Sequence, residues 1–247
     1  MKKVDFRGPG LSFREDLCCP YIFDGRMASL EFFFPSQGIE REFHLFLARG
    51  YRRLGSVLYR NVCKECSSCK PLRVETEKFR ISRNQKRTLK KDLDLRTEIS
   101  APRVTPEKAE LYTQYIASKH ALGESEEREK DAATLLSLYY GYPGSIEMDY
   151  YLGDKLIGAG IVDEAADALS SVYFYYDTSY FRRSPGVFSI LQEIALAQSM
   201  KKMYYYLGFY IEETPKMSYK ALFRPNQVYR DGIWTTFRTH ETARGPW

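Results

Sequence analysis

Residues 145–211 contain three strand-like runs, one long helical run and a further strand, and few folds accommodate that order. Ser145 to Leu152 and Lys155 to Val162 flank a Gly153-Asp154 turn, and Leu169 to Asp177 follows a short acidic turn. The pattern predicts three strands joined by hairpins. Ser184-Pro185-Gly186 then opens a helical run from Val187 to about Lys202, and Tyr204 to Ile211 reads as a strand. A helix that returns the chain to one sheet in β-β-β-α-β order predicts an α+β or α/β domain.

Upstream, Ser100, Ala101, Pro102 and Pro106 interrupt the pattern, which places a boundary between an N-terminal region, 1–100, and a C-terminal domain, 101–247. Thr105 is an N-cap with Pro106 at the first helical position, and Ala109, Tyr112, Tyr115, Ile116 and His120 continue at helical spacing, so a helix is expected over 106–120. The charged segment Glu124 to Asp131 leads into Ala132 to Tyr140, a helix or a loop. In the first region, Leu30 to Pro35 and Phe43 to Phe46 read as short strands among loops.

The chain has 247 residues, 44% of them apolar, enough for a proper core. No apolar run of signal-peptide or membrane-spanning length follows the opening M-K-K-V-D-F-R-G-P-G, so a cytoplasmic protein without a membrane partner is expected. Five cysteines, an odd number with three crowded into seven residues, fit a reducing compartment.

Those three, Cys63, Cys66 and Cys69, form C-x2-C-x2-C, a spacing that aims thiolates from successive turns of a loop at one soft ion. Cys18 and Cys19, in C-C-P-Y, can each supply a fourth ligand, Cys19 being the one assigned, for a zinc ion or an iron–sulfur cluster. The competing reading is a set of reduced thiols that pack as small apolar side chains.

The net charge of +5 is unevenly distributed: Arg80, Arg83, Lys86, Arg87, Lys90 and Lys91 fall within twelve residues. If Ser82 caps a helix there, spacings of three and four align the cations on one side as a phosphate-contacting surface. Arg49, Arg52 and Arg53 add a second basic group. Lys216, Lys220 and Arg224 are spaced by four, so a helix would align them too. A solvated face is the competing reading of either basic run. Tyr204, Tyr205, Tyr206 and Tyr210 are strand packing residues or a stacking platform for a base. His44, His120 and His240 lie in dissimilar contexts, and no G-x-x-x-x-G-K-S/T loop is present, so hydrolytic chemistry is set aside.

The β-β-β-α-β order resembles the core of acetyltransferase-type (GNAT-like) folds. The segment Arg183 to Phe188, R-S-P-G-V-F, shares the arginine and first glycine of that family's pyrophosphate loop, but carries Phe188 where a second small residue is expected. An acyl donor other than coenzyme A becomes worth considering.

Three segments together resemble the aminoacyl-tRNA–protein transferases of the N-end rule pathway: C-P-Y at Cys19 to Tyr21; Leu58 to Val74 continuing through F-R-x-S-R-x-Q-K-R at Phe79 to Arg87; and Tyr204 to Ile211 followed by P-K-M-S-Y-K-A-L-F-R-P at Pro215 to Pro225. The family's usual Y-D-P-D and S-L-G stretches read here Tyr176-Asp177-Thr178-Ser179 and Ser184-Pro185-Gly186. The resemblance implies transfer of an amino acid, leucine in the compact bacterial branch and arginine in the related one, from charged tRNA to proteins beginning with Asp or Glu. That addition marks them for degradation. Aminoacyl-tRNA and acidic protein N-termini are then the partners, with no role for DNA.

An aminoacyl ester is already activated, and the attacking α-amine has an ordinary pKa of about 7.7 to 8.0, so no protein nucleophile or cofactor is required. Orientation alone can supply effective molarities of about 10⁵ M. Asp177 and Tyr175 are the candidate proton-transfer groups. The candidate substrate residues are Lys216, Tyr219, Lys220, Arg224, Ser184 and Gly186, with cations for the acceptor carboxylate; Arg52, Arg53, Arg80, Arg83, Lys86, Arg87 and Lys90 are expected on tRNA. The alternatives are a coenzyme A dependent N-acetyltransferase and a non-catalytic tRNA-binding protein.

Overall fold

The computed structural model describes residues 10–35, 38–119 and 125–237; His120 and His240 lie outside them. Two sheets organise the chain. The smaller comprises β1 (Gly10–Cys18), β2 (Met27–Pro35), β4 (Val57–Asn61) and β3 (Arg52–Leu54), in that spatial order and antiparallel throughout.

The larger sheet has eight strands. Its centre is the expected meander β7 (Ser145–Leu152), β8 (Lys155–Glu164) and β9 (Ala168–Tyr176), followed by β10 (Tyr204–Tyr210). Beyond β10 come β5 (Lys70–Glu75), β11 (Asn226–Arg230) and β12 (Ile233–Thr236), while β6 (Leu95–Ser100) closes the other edge beside β7. Strands from both sides of residue 100 therefore share this sheet.

Helices cover both faces. Helix α5 (Pro185–Ser199) connects β9 to β10 and buries Val187, Ile190, Leu191 and Ile194 against Leu72, Val74 and Leu207. Helix α2 (Arg83–Lys91) packs on α5. Ser82 caps α2 as expected, accepting from the Gln85 N–H while the Gln85 side chain bonds back to the Ser82 N–H. On the opposite face, α3 (Pro106–Lys119) and α4 (Ser125–Tyr140) bury Leu111, Tyr112, Leu135 and Tyr139 against Ala159, Ile161 and Tyr175. The Thr105 hydroxyl accepts from the Lys108 N–H, which makes it the α3 cap.

Two local expectations are corrected. Phe43 to Phe46 lies in a helix, α1 (Ile39–Ala48), not a strand: Phe43, Phe46 and Leu47 recur at helical spacing and are its buried face. The segment carrying Lys216, Lys220 and Arg224 is not one helix. It makes a single turn, α6 (Pro215–Ser218), then a 3-10 turn at Tyr219–Leu222, and Phe223 is extended. Arg224 precedes Pro225, and the proline ring disfavours helical backbone at the residue before it.

Candidate active site

The parallel pair β9 and β10 holds together over only three residue pairs, Tyr204 with Ala168, Tyr205 with Leu169 and Tyr206 with Ser170. Beyond that point β9 continues beside β8, and β10 shifts register against β5 between Tyr206 and Gly208. The two strands part, and the fork is filled by polar groups. Arg52, reaching in from β3, donates to the Ser170 hydroxyl at 3.3 Å and to the Ser171 carbonyl, a backbone acceptor left facing the gap. Gly208 has φ +90, and a Cβ there would stand 3.2 Å from the Arg52 guanidinium carbon and 3.4 Å from Lys220 Nζ. Only glycine gives both the backbone angle and the space.

Beneath the fork, on α5, Glu193 is buried with both oxygens bonded: the Ser189 hydroxyl donates at 2.6 Å and the Tyr205 hydroxyl at 2.5 Å. Burial pushes this carboxyl above its usual range, against the pull of those donors and of Arg52. Lys220 keeps a partial solvent face. Burial of its ammonium, with Arg52 adding repulsion and Glu193 opposing, lowers its pKa to about 7. No carboxylate lies within ion-pair distance of Arg52 or Lys220 among the described residues. The fork is a recessed positive site over a buried acid. Tyr219, in contact range of Gly186 across this end of α5, completes its wall.

The other expected residues fall into distinct places. Arg53 points away from its neighbour Arg52 and is sealed in: it pairs with Asp163 at 2.5 Å and 3.0 Å and donates to the Gly55 and Leu138 carbonyls. Arg53, 6% exposed and answered by Asp163, presents no cation to an external phosphate, which corrects the expectation for it; Arg52, 8% exposed, faces the fork rather than the outer surface. Arg80, Arg83, Lys86, Arg87 and Lys90 are exposed along α2 and the turn before it, with Gln85 and Thr88 buried behind. Gln85 also donates to the Leu222 carbonyl, tying this basic ridge to the segment that carries Lys220.

Asp177 caps the 3-10 turn Thr178–Arg183, accepting from the Ser179 N–H at 3.0 Å, and pairs with Lys155 at 2.7 Å. Partial burial works against ionisation, but these contacts hold the carboxyl below its usual value. The Tyr175 hydroxyl is buried against that of Tyr139, 2.7 Å away. Ser184 adopts the left-handed conformation at φ 58 and begins α5. Arg183 clasps Asp94 at 2.7 and 2.9 Å and Asp92 at 3.3 Å, and Phe188 is buried against Tyr150, so the R-x-x-G segment is folded into the protein rather than opened toward a pyrophosphate. Lys216 and Arg224 are exposed. Of the tyrosines, Tyr205 serves Glu193, Tyr206 accepts from Arg73, and Tyr204 stacks on the same guanidinium at 3.7 Å. The sequence pattern missed Glu193, because an acid inside a helical run looks like a solvent-facing residue until α5 is packed.

Cys19, Cys63, Cys66 and Cys69 share one neighbourhood. Burial together with the other three thiols pushes Cys69 up to about 12. Cys63 accepts from the Ser29 N–H at 3.4 Å and Cys66 from Arg26 at 3.5 Å. Among the described residues, no three His, Cys, Asp or Glu side chains converge closely enough to hold an ion.

Sequence comparison places this geometry in a family. Residues 18–87 match the model of the arginine-tRNA-protein transferase N terminus, and residues 107–230 that of its C terminus. An aspartate/glutamate leucyltransferase of Saccharophagus degradans is 34% identical over 89% of this chain and 93% of its own length. One from Pseudomonas fluorescens is 34% identical over 88% and 92%, and one from Ruegeria pomeroyi 32% identical over 92% and 85%. Among solved structures, FemX overlaps 83% of this chain and 80% of its own at 8% identity and TM-score 0.42. L-PGS from Bacillus licheniformis overlaps 80% and 71% at 11% identity and TM-score 0.40. The chain belongs to the aminoacyl-tRNA–protein transferase family. It is an aminoacyltransferase.

Proposed function

We propose that this enzyme transfers leucine from leucyl-tRNA to the α-amine of proteins beginning with Asp or Glu, on a GNAT-like core, and that the acceptor binds at the β9/β10 fork. The observation that carries the reading is the pairing of Arg52 and Lys220 without an acidic partner in ion-pair reach, recessed beside a gap between two strands. An acidic N-terminal residue brings the missing carboxylate, and a charge-assisted bond in a desolvated site is the strong kind. Arg52 stays charged at any cellular pH and is held by Ser170 and Ser171. Glu193 is a positioning residue: it accepts from Tyr205 and holds that hydroxyl beneath the two cations.

Once the acceptor is anchored, its neutral amine attacks the ester carbonyl of the donor. The new amide bond forms as the bond to the ribose oxygen breaks, and the amine proton passes to that oxygen. The protein's contribution is largely orientation. Asp177, held ionised by Lys155 and the turn it caps, and Tyr175, bonded to Tyr139, anchor the end of β9 against which the donor would lie. Lys216, Arg224, Tyr219, Ser184 and Gly186 border the same end of the molecule and are assigned to substrate contact. The exposed ridge of α2 is assigned to tRNA phosphates. Arginyl-tRNA is the alternative donor, because the fork geometry concerns the acceptor.

The deciding experiment incubates the protein with leucyl-tRNA or arginyl-tRNA, each labelled in the amino acid, and peptides beginning with Asp, Glu, Lys or Ala. Label from leucyl-tRNA on the Asp and Glu peptides alone is expected. Label on Lys or Ala peptides would reject the acceptor assignment, and transfer from arginyl-tRNA only would change the donor.

We further propose that Cys19, Cys63, Cys66 and Cys69, which share a neighbourhood but do not converge on one point in this structure, are drawn together by one soft metal ion or cluster. Four thiols in one neighbourhood, Cys69 pushed up by burial and then by the other three, are a donor set that a soft cation satisfies. The chemistry above needs no step at that site. Elemental analysis of anaerobically purified protein is expected to give about one equivalent of zinc, or iron in cluster proportions; less than about a tenth would reject it.

A further inference from the structure

Cys63, Cys66 and Cys69 form one side of a pocket of about 220 Å³ whose lining also includes Arg49, Arg60, Lys70 and Arg230, with Asp231 the one carboxylate. Arg60 is steadied by Glu31 at 2.6 Å and by the ring of Tyr51, and Lys70 stands 5.7 Å from the ring centre of Tyr210. Asn61, another lining residue, has its Nδ2 buried without a hydrogen-bond partner among the described residues. A buried donor left unbonded is uncommon and suits an external acceptor oxygen. Tyr229 and Phe209 add aromatic surface. Phe209 directly follows Gly208 on β10, so this pocket and the fork adjoin along one strand.

We propose that this pocket takes a backbone phosphate and neighbouring base of the single-stranded 3′ end of the donor tRNA, so that the aminoacyl ester beyond it reaches the fork. The inference rests on the aminoacyl-tRNA reading above and adds the subsite for the donor's end. Two features favour nucleic acid over the acceptor peptide. The fork already supplies cations for one carboxylate, and a pocket with four cations, an amide donor and aromatic faces matches a phosphate with a stacked base. The α2 ridge, by contrast, carries solvent-exposed cations suited to duplex phosphates.

The test measures binding of uncharged tRNA, intact or lacking its three 3′ nucleotides, across a salt series, for wild type, Arg230→Gln and the double variant Lys70→Gln/Arg230→Gln. Wild type is expected to prefer intact tRNA by about tenfold or more. The double variant binds truncated tRNA as wild type does, loses the preference for intact tRNA, and shows a slope of log affinity on log salt smaller by about 1.4, at about 0.7 per lost single-strand contact. Arg230 is exposed, so Arg230→Gln keeps the fold and shows about half that change. An undiminished preference in the double variant overturns the site. Unchanged tRNA affinities with a raised KM for an Asp-initiated peptide overturn it as well, and make the pocket a carboxylate site. Wild-type protein that binds neither tRNA removes the donor reading itself, a result distinct from failure of the pocket.

Discussion

Two positive regions of this protein use the same residue types to opposite ends. On α2, Arg83, Lys86, Arg87 and Lys90 stand in water on one face of a capped helix, and each cation is well solvated. At the β9/β10 fork, Arg52 and Lys220 are drawn among strands, and the loss of water is severe enough to bring Lys220 down to about 7. The difference is one of dielectric and geometry. Exposed cations attract a polyanion at long range and indifferently to detail, whereas desolvated cations select a ligand that brings charge to a defined point. Arg53 marks the limit of the second kind, with its charge fully answered by Asp163 and nothing left for a ligand.

The contrast is broken most forcefully at Arg53. Its replacement by Met leaves Asp163, whose carboxyl burial already pushes up, with the Ser145 hydroxyl but no cation, and stability is expected to fall by about 3–5 kcal/mol in urea denaturation. A stable variant with weakened tRNA binding would instead place Arg53 among the phosphate contacts. Lys108 offers a parallel case: it bridges Glu147 at 2.6 Å and Asp149 at 2.8 Å, both buried, and Lys108→Met is expected to cost a similar amount.

The fork is sharpened by Lys220. Lys220→Met is expected to lower kcat/KM for Asp-initiated peptides by about tenfold to a hundredfold, corresponding to about 1.5–3 kcal/mol for a hydrogen bond to charge, with leucyl-tRNA binding unaltered. The lysine is charged below its pKa and neutral above it. The KM for an Asp peptide therefore rises as pH climbs through about 7 in wild type, and stays flat in Lys220→Arg. A KM independent of pH in the wild-type enzyme would remove Lys220 from carboxylate binding.

Smaller effects belong to the ridge and the cap. Arg83→Gln, Lys86→Gln and Arg87→Gln should each reduce the salt slope of tRNA binding by at most about 0.9 while changing stability by less than about 0.5 kcal/mol. Asp177→Asn removes the Lys155 ion pair and weakens a cap, for which about 0.5–2 kcal/mol is expected with kcat little changed. A collapse of kcat at unchanged stability would return Asp177 to the chemistry.

Local rules account for much of what the sequence revealed. The meander, α5 and β10 are patterned by turns, a proline-led helix start and apolar runs, and α2 is written in Ser82 and Gln85 as a capping box. Phe43 to Phe46 misled because four residues rich in aromatics suit a strand, and only the wider spacing through Leu47 reveals the helix. Lys216, Lys220 and Arg224 misled because spacing by four means alignment only in an unbroken helix, and Pro225 stops it.

The sequence by itself determined the family, the β-β-β-α-β order over 145–211, the basic ridge and the crowding of thiols, since each is carried by neighbours within a few residues of one another. Tertiary structure decided that Arg52 and Arg53, adjacent in the chain, part company. Successive strand residues point to opposite faces, so one arginine enters the fork, some 118 residues away in sequence from its partner Ser170, and the other meets Asp163. It also decided that Glu193 lies beneath Lys220, because whether an acid on a helix faces water or core depends on which side of α5 the sheet comes to cover.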